Sequence, residues 1–268
     1  MEKIIIPNTN FQCSKFIFGT GSLLNIFSKK ERLKLLNSVV DKNFSHFDTS
    51  PYYGFGKAET NLREILKKNQ NLTITTKVGL YPPGRSNQSL LEMIFRKSFG
   101  KFFSFLAKPN IDFTIKKANK SLEESLKRLG RDCIDILLIH EPIIELINTE
   151  EWKKWFGQLI KEGKIRYFGL SSLVASRLEK CIVKDNKLFN ILQTLDSIDL
   201  MEADFLKKNN FPLQITHGYM SSSKKRYPAK SYKDIFNQIL KRNPDGAIII
   251  STRSQKHLTE FSNLLKNL

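Results

Sequence analysis

The stretch TIKKANKSLEESLKRLGRDCIDILLIHEP, residues 114–142, decides the fold because it joins one helical segment to one buried strand. Its first half, Thr114 to Leu129, predicts a helix, and Gly130 is well suited to end it. Its second half, Ile134 to His140, is a short apolar run that predicts a strand. The helix prediction depends on a stripe of apolar residues at three- and four-residue steps: Ile115, Ala118, Leu122, Leu126 and Leu129.

The same alternation of short β-branched runs with helical segments extends along the chain, and it predicts a parallel sheet. It follows a predicted N-terminal hairpin, Ile4 to Phe16, with its turn near Pro7-Asn8. The strand candidates are Ile17–Thr20, His46–Ser50, Thr73–Val78, Ile134–His140, Ile165–Ser171, Ile191–Leu195, Leu213–Tyr219 and Ala247–Ser251. The helix candidates besides Thr114–Leu129 are Lys29–Asp41, Ala58–Lys68, Glu151–Glu162, Val174–Val183, Ala203–Asn209, Lys233–Arg242 and Gln255–Lys266.

Eight strands and eight helices fit an α/β fold of the closed (β/α)8 type, a TIM barrel preceded by a β-hairpin. The alternative is an open doubly wound sheet, which needs a glycine-rich phosphate loop after its first strand. The only candidate for that loop, Gly19-Thr20-Gly21, lacks the third glycine. We therefore expect one barrel domain over residues 1–268.

Composition narrows the class of protein further. Hydrophobic residues make up 40% of the chain, and no stretch approaches the ~20 uncharged apolar residues of a membrane span, so we expect a cytoplasmic globular protein. The net charge of +18 raises the hypothesis of binding to nucleic acid or an anionic membrane. Most lysines lie in dispersed pairs such as Lys29-Lys30 and Lys207-Lys208, which favours a solvated surface and predicts neither partner.

One long segment, residues 81–110, interrupts the alternation after the third strand. It contains the basic, phenylalanine-rich run FRKSFGKFFSFLAK, residues 95–108. Loops of this length are usually functional or disordered. A lid that packs on the barrel mouth is favoured here over a segment that lies on a membrane surface.

Four polar side chains follow or end three neighbouring strands. Asp48 and Tyr53 come from HFDTSPYYG, Lys77 from TTKVG and His140 from ILLIH. Each residue alone has an ordinary structural explanation, such as a helix cap, a packed ring or a core histidine. Because the carboxyl ends of barrel strands meet at one rim, the four together predict a catalytic site there.

These motifs resemble the aldo-keto reductase family, whose catalytic tetrad corresponds to DTSPYYG, TTKVG and LLIHEP in this sequence. The later segments IRYFGLSS, NILQTLDS and NPDGAIIISTRSQKHL resemble the cofactor-binding segments of the family, in the same order. TKVG, the long loop and SLEESLKRLGRDCIDILLIHEP most resemble the bacterial and plant sugar dehydrogenase branch. The resemblance implies an NAD(P)-dependent oxidoreductase that transfers a hydride between nicotinamide and an aldehyde, ketone or sugar.

In that chemistry Tyr53 is the expected proton donor to the alkoxide that forms. Free tyrosine has a pKa near 10, and we expect the ammonium of Lys77 to lower the pKa of Tyr53. Asp48 would hold the ammonium in place, and His140 would hydrogen-bond the carbonyl oxygen. No metal is required.

The resemblance also implies the cofactor contacts. Ser171 and Gln193 would meet the carboxamide, Ser172 stands where Asn is usual, and His217 stands where an aromatic ring stacks on nicotinamide. Near the last helix, Ser254 would cap an anion-binding N-terminus and Phe261 stands where an adenine-contacting Asn is usual. Arg253 would clamp the phosphate at that N-terminus, and Ser251 and His257 align with the positions that grip the adenosine 2′-phosphate in the family, which favours NADP(H) over NAD(H).

Two other functions remain open from the sequence. The first is a non-catalytic barrel that binds nucleotide and acts as a regulatory partner, which the intact tetrad disfavours. The second is a basic protein associated with membrane or nucleic acid, which depends on the charge and on residues 96–108. The favoured partner is a small carbonyl or sugar substrate, and the sequence gives no prediction of oligomeric state.

Overall fold

A closed barrel of eight parallel strands forms the centre of the protein, in a computed structural model that describes residues 1–83 and 109–266. This confirms the (β/α)8 prediction. The barrel strands follow one another in chain order, and Ile249 pairs with Ile17 to close the ring. The strands are β1 (Lys3–Ile5), β2 (Gln12–Ser14), β3 (Phe16–Gly19), β4 (His46–Asp48), β5 (Thr73–Val78), β6 (Leu80–Tyr81), β7 (Asn110–Ile111), β8 (Ile134–His140), β9 (Ile165–Ser172), β10 (Ile191–Leu195), β11 (Ile215–His217) and β12 (Ala247–Ile250), of which β3–β5 and β8–β12 form the barrel.

Helices surround the barrel and pack their apolar faces on its outer surface. Thr114 caps the helix Ile115–Leu129 by accepting a hydrogen bond from the backbone N–H of Lys117, and Gly130 ends this helix with a φ of +65°. The described helices are α1 (Lys29–Asp41), α2 (Lys57–Lys68), α3 (Ile115–Leu129), α4 (Thr149–Lys161), α5 (Ala175–Lys184), α6 (Asp204–Lys208), α7 (Tyr219–Arg226), α8 (Tyr232–Arg242) and α9 (Gln255–Lys266), with 3-10 turns at Leu23–Asn25 and Ile144–Leu146.

The predicted N-terminal hairpin is present as the antiparallel pair β1 and β2. Its connection buries Ile6 and Phe11 in a second apolar cluster inside the barrel, together with Ile17 and Ile136. The hairpin therefore closes the end of the barrel at which the strands begin. A functional site is expected at the opposite end of the barrel, where the strands finish.

A buried lysine joins the hairpin to the last part of the barrel. The ammonium of Lys15 donates to the carbonyl oxygens of Asn243, Pro244 and Gly246 at 2.6–2.8 Å. The side chain of Lys15 is almost fully buried. These three acceptors replace the water that the charge loses on burial. Lys15 therefore holds the start of β3 against the turn before β12.

The seventh barrel strand is shorter than predicted, and the sequence prediction was wrong at its end. The strand covers Ile215–His217, not Leu213–Tyr219, because Gly218 has a φ of +102° and turns the chain into α7. Helix α7 was not predicted. Its sequence, YMSSSKKR, buries only Tyr219 and Ser223, so it has no apolar stripe to detect.

The long segment after β5 begins and ends in a short antiparallel ladder, in which Leu80 pairs with Ile111 and Tyr81 with Asn110. The two ends of the predicted loop 81–110 are thus strands, and the ladder starts two residues beyond Val78. The basic, phenylalanine-rich run lies outside the described residues. Its role as a lid therefore stays a prediction.

Candidate active site

The four strand-end side chains of the predicted tetrad meet at the barrel mouth. Lys77, at the end of β5, donates to both carboxylate oxygens of Asp48 at 2.8 and 2.7 Å. The same ammonium donates to the backbone oxygen of Thr49 at 3.0 Å and contacts the phenolic oxygen of Tyr53 at 3.4 Å. One buried cation thus joins a carboxylate to a phenol.

Burial dominates the electrostatics of this cluster. Lys77 is fully buried and Asp48 is 4% exposed. Burial alone would lower the pKa of Lys77, but Asp48 and Tyr53 outweigh it and raise that pKa, so the lysine is charged at neutral pH. Burial raises the pKa of the Asp48 carboxyl, and the ammonium opposes that rise.

The expected net effect on Tyr53 was wrong in direction. Burial raises the pKa of Tyr53 above 10, and Lys77 lowers it only in part. The lysine acts in the predicted direction, but removal of the phenol from water has the larger effect. At neutral pH Tyr53 therefore carries its proton, which is the state required of a proton donor.

His140 lies beside Tyr53 with the ring planes nearly perpendicular, at 87°, and the ring centroids 5.9 Å apart. Burial, together with the nearby Lys77, lowers the pKa of His140 well below 6.5, so the ring is neutral. Its Nδ1 lies 3.3 Å from the hydroxyl oxygen of Ser50. Ser50 was not singled out from the sequence, although it lies within the DTSPYYG motif.

On the other side of Asp48, Gln193 and Ser171 line the same cleft. The side chain of Gln193 lies close enough to Asp48 to lower the pKa of that carboxyl, and because a carboxylate only accepts, the amide NH2 faces Asp48. This leaves the buried carbonyl oxygen of Gln193 without a partner among the described residues. An unsatisfied buried acceptor of this kind fits the NH2 group of a nicotinamide carboxamide, and the Ser171 hydroxyl can serve its oxygen.

Ser172 is not brought to this cleft. Its hydroxyl donates to Glu141 at 2.8 Å, and Glu141 also accepts from the backbone N–H of Leu173 and from Arg177. Glu141 has a φ of +52°, an uncommon conformation for a residue with a Cβ, and it lines the cleft directly after His140. The sequence carried no signal for this contact, because neither residue type requires it.

His217 ends β11 on the cleft wall, next to Gly218. Burial lowers the pKa of His217 to about 4, so its ring is uncharged at neutral pH. A neutral, flat imidazole at this position is compatible with a stacked ring. The contact of His217 with nicotinamide stays a prediction.

From the tetrad a continuous groove leads to the start of α9. The cleft at the tetrad has a volume of about 1000 Å3, part of it open to solvent, and shares Gly218, Ser221 and Ser251 with the next section of the groove. That section shares Ser251 and His257 with a third, which is lined by Arg253. Ser251 and His257, predicted to contact the 2′-phosphate, therefore line the third section together with Arg253, and Ser251 also lines the cleft at the tetrad.

The predicted cap of α9 is present, since the Ser254 hydroxyl accepts from the backbone N–H of His257 at 3.3 Å. Phe261, which stands where an adenine-contacting Asn is usual, makes aromatic contacts. It packs edge-on against Tyr232 and lies nearly parallel to His257, and it lines the middle section of the groove. The groove thus offers an aromatic wall close to a helix N-terminus, a combination that suits a base and a phosphate.

Comparison with known proteins agrees with this geometry. The model of the aldo/keto reductase family matches residues 15–217, and the chain belongs to that family. The chain is 27% identical to L-galactose dehydrogenase of Arabidopsis thaliana over 182 residues, which are 65% of this chain and 49% of the relative. It is 27% identical to D-threo-aldose 1-dehydrogenase of a Pseudomonas species over 179 residues, 61% of this chain and 50% of the relative.

The similarity to sugar dehydrogenases inferred from the motifs is therefore confirmed. The chain spans about half the length of these curated relatives. An aldo-keto reductase structure from Bacillus halodurans superposes with a TM-score of 0.73 at 17% identity, covering 99% of this chain and 91% of that one, which shows the shared fold. Within residues 1–83 and 109–266, no helix has the length and apolar character needed to span a membrane.

Proposed function

We propose that this protein is an NAD(P)-dependent oxidoreductase that interconverts a carbonyl group and an alcohol, with Tyr53 as general acid and base. The observation that carries this proposal is the buried ammonium of Lys77, held by Asp48 within 3.4 Å of the Tyr53 phenol. That arrangement supports the transfer of one proton at the barrel mouth. The unpartnered amide oxygen of Gln193, in the same cleft, supports a nicotinamide beside it.

Bound nicotinamide supplies or accepts the hydride, and the side chains manage the proton. In the reducing direction His140 hydrogen-bonds the substrate oxygen and orients it. The Tyr53 hydroxyl donates its proton to the same oxygen as negative charge develops there. Lys77 then lies next to the phenolate and stabilises it, while Asp48 keeps the ammonium from moving away. The reverse direction uses the same contacts.

The proposed cofactor is NADP(H) in preference to NAD(H). Ser251, Arg253 and His257 share the end of the groove, where the N-terminus of α9 adds a positive dipole. Arg253 is exposed, and its guanidinium is suited to a phosphate. An additional charge-assisted contact at this site favours the phosphorylated cofactor by roughly tenfold or more.

The proposed substrate is a small aldehyde, ketone or sugar. Tyr52, Leu80 and Leu173 line the cleft around the tetrad and provide apolar surface. Glu141 adds a carboxylate beside them. Stacking surfaces combined with hydrogen-bonding groups are compatible with sugar recognition. The segment predicted to form a lid, residues 81–110, directly follows Leu80 in the chain and is part of the same proposal.

Cofactor titration tests the proposal without knowledge of the substrate. Calorimetry with NADPH and NADH should show tighter binding of NADPH, and Arg253→Ala should weaken NADPH roughly tenfold while NADH changes little. Arg166→Ala is a matched control, because Arg166 is also exposed but lies near the start of β9 and pairs with Asp135. Absence of binding by either cofactor in the folded wild-type protein would contradict the proposal.

The two rival functions gain no support from the structure. A regulatory barrel would not need the Lys77–Asp48–Tyr53 contacts, and tight cofactor binding without turnover over a broad carbonyl and sugar panel would favour it. A nucleic-acid surface would need unpaired, clustered cations. The net charge of +18 leaves cations without acidic partners, but the lysine pairs are dispersed along the sequence, and some lysines pair with nearby acids, as in Lys29–Glu64, Lys164–Glu123 and Lys180–Glu145.

A further inference from the structure

Ser50 places a buried hydroxyl between the loop after β4 and the end of β8. It is fully buried, and its oxygen lies 3.3 Å from Nδ1 of His140, a residue 90 positions later in the chain. The same oxygen accepts a hydrogen bond from the backbone N–H of Tyr52 at 3.2 Å. One hydroxyl thus connects the loop that carries Tyr53 to the neutral histidine beside it.

The direction of the hydrogen bond follows from counting hydrogens. The N–H of Tyr52 can only donate, so it occupies one lone pair of the Ser50 oxygen. Among the described residues, the acceptor within hydrogen-bond distance of the Ser50 hydroxyl is Nδ1 of His140. If Nδ1 carried the proton instead, both groups would donate to Ser50 and its own hydrogen would be buried without an acceptor. The unpaired Ser50 hydrogen would disfavour the tautomer with the proton on Nδ1 by roughly five- to hundredfold.

We propose that Ser50 is a positioning residue that holds His140 in the tautomer with Nδ1 as acceptor and the proton on Nε2. The proposal rests on the function proposed above, because it assigns the origin of a donor that the mechanism needs. With the proton on Nε2, His140 can donate to a carbonyl oxygen. In the other tautomer the Nε2 lone pair would face that oxygen and repel it.

The tautomer can be measured directly in the free, full-length protein. Histidines labelled with 15N give long-range proton–nitrogen correlations that identify which ring nitrogen carries the proton, and a His140→Asn sample assigns the signals. Wild type should show His140 protonated on Nε2 at pH 7.5. Ser50→Ala should show a measurable population protonated on Nδ1, and Ser50→Thr, which keeps the hydroxyl, should restore the wild-type pattern.

Steady-state kinetics give the second readout. Ser50→Ala should lower kcat about three- to tenfold with little change in the KM for the cofactor, and Ser50→Thr should recover most of the loss. Ser125→Ala is a matched control, since it removes another fully buried hydroxyl. The Ser125 hydroxyl, on α3, accepts a hydrogen bond from Arg128, which pairs with Glu59 on α2. It should leave both the His140 signals and kcat unchanged.

Two results would overturn the proposal: a wild-type His140 protonated on Nδ1, or a Ser50→Ala spectrum identical to that of wild type. Because the spectra require no substrate, they decide the role of Ser50 even if no carbonyl is turned over. A wild-type protein with the expected tautomer but no turnover would count against the proposed function and not against this contact.

Discussion

The buried pair of Lys77 and Asp48 makes the sharpest quantitative prediction. Lys77→Met removes the ammonium that occupies both carboxylate oxygens of Asp48, at 2.7 and 2.8 Å. It leaves a carboxylate side chain that is only 5% exposed facing an apolar neighbour. Breaking a buried ion pair on one side typically costs about 3–5 kcal/mol, so we expect the free energy of unfolding to fall by that amount.

Removing the second charge should recover part of that loss. In Asp48→Asn/Lys77→Met no isolated charge remains in the cluster, and the Asn side chain nearly keeps the original shape. The double variant should therefore lose about 2–3 kcal/mol less than the sum of the two single variants. The recovery measures the coupling between the two side chains and not the general cost of altering the site.

Urea denaturation at pH 7, followed by fluorescence of the buried Trp152 and Trp155, provides the four free energies needed. As a control, Asp48→Asn combined with Lys15→Met should be additive, because Lys15 lies at the opposite end of the barrel and shares no partner with Asp48. Additivity within about 0.5 kcal/mol in the Lys77 cycle would refute the assignment of a coupled buried pair.

Two further predictions concern Lys15 and His217. Lys15→Met leaves the carbonyls of Asn243, Pro244 and Gly246 without their donor, so stability should fall by about 3 kcal/mol in the same assay, and a loss below about 1 kcal/mol would contradict this role of Lys15. Burial lowers the pKa of His217 to about 4, so between pH 6.5 and pH 4 the unfolded chain binds more protons than the fold, and stability falls as the pH falls. At pH 4.5 this amounts to roughly 2–3 kcal/mol, a loss that His217→Phe should not show, and equal losses in both proteins between pH 7.5 and 4.5 would exclude the effect.

The sequence predicted the positions of the reactive groups well, because those positions follow from strand ends. Asp48 and His140 end their strands and Lys77 precedes the last residue of its strand, and a parallel barrel must bring such ends to one rim. The contacts of Lys77 with Asp48 and Tyr53 then follow from the neighbouring order of β4, β5 and β8. The fold and the position of the tetrad can therefore be predicted from periodicity and chain order.

What the sequence did not predict depends on three-dimensional environment. Helix α7 has no apolar stripe, so periodicity cannot reveal it. Burial, which no motif records, reverses the expected net shift in the pKa of Tyr53. The contact of Ser172 with Glu141 and that of Ser50 with His140 depend on the register of β8 against its neighbours and on the loop after β4. Long-range side-chain contacts of this kind leave no local pattern.

The most direct test of the account is the turnover of Tyr53→Phe, measured as oxidation of NADPH with a panel of aldehydes, ketones and sugars. Loss of the phenolic proton should lower kcat by about 10²- to 10⁴-fold while NADPH affinity stays within about twofold of wild type. Tyr227→Phe, which removes an exposed phenol that does not line the cleft, should stay close to wild type. A Tyr53→Phe protein that turns over at nearly the wild-type rate would contradict the central claim that Tyr53 transfers the proton.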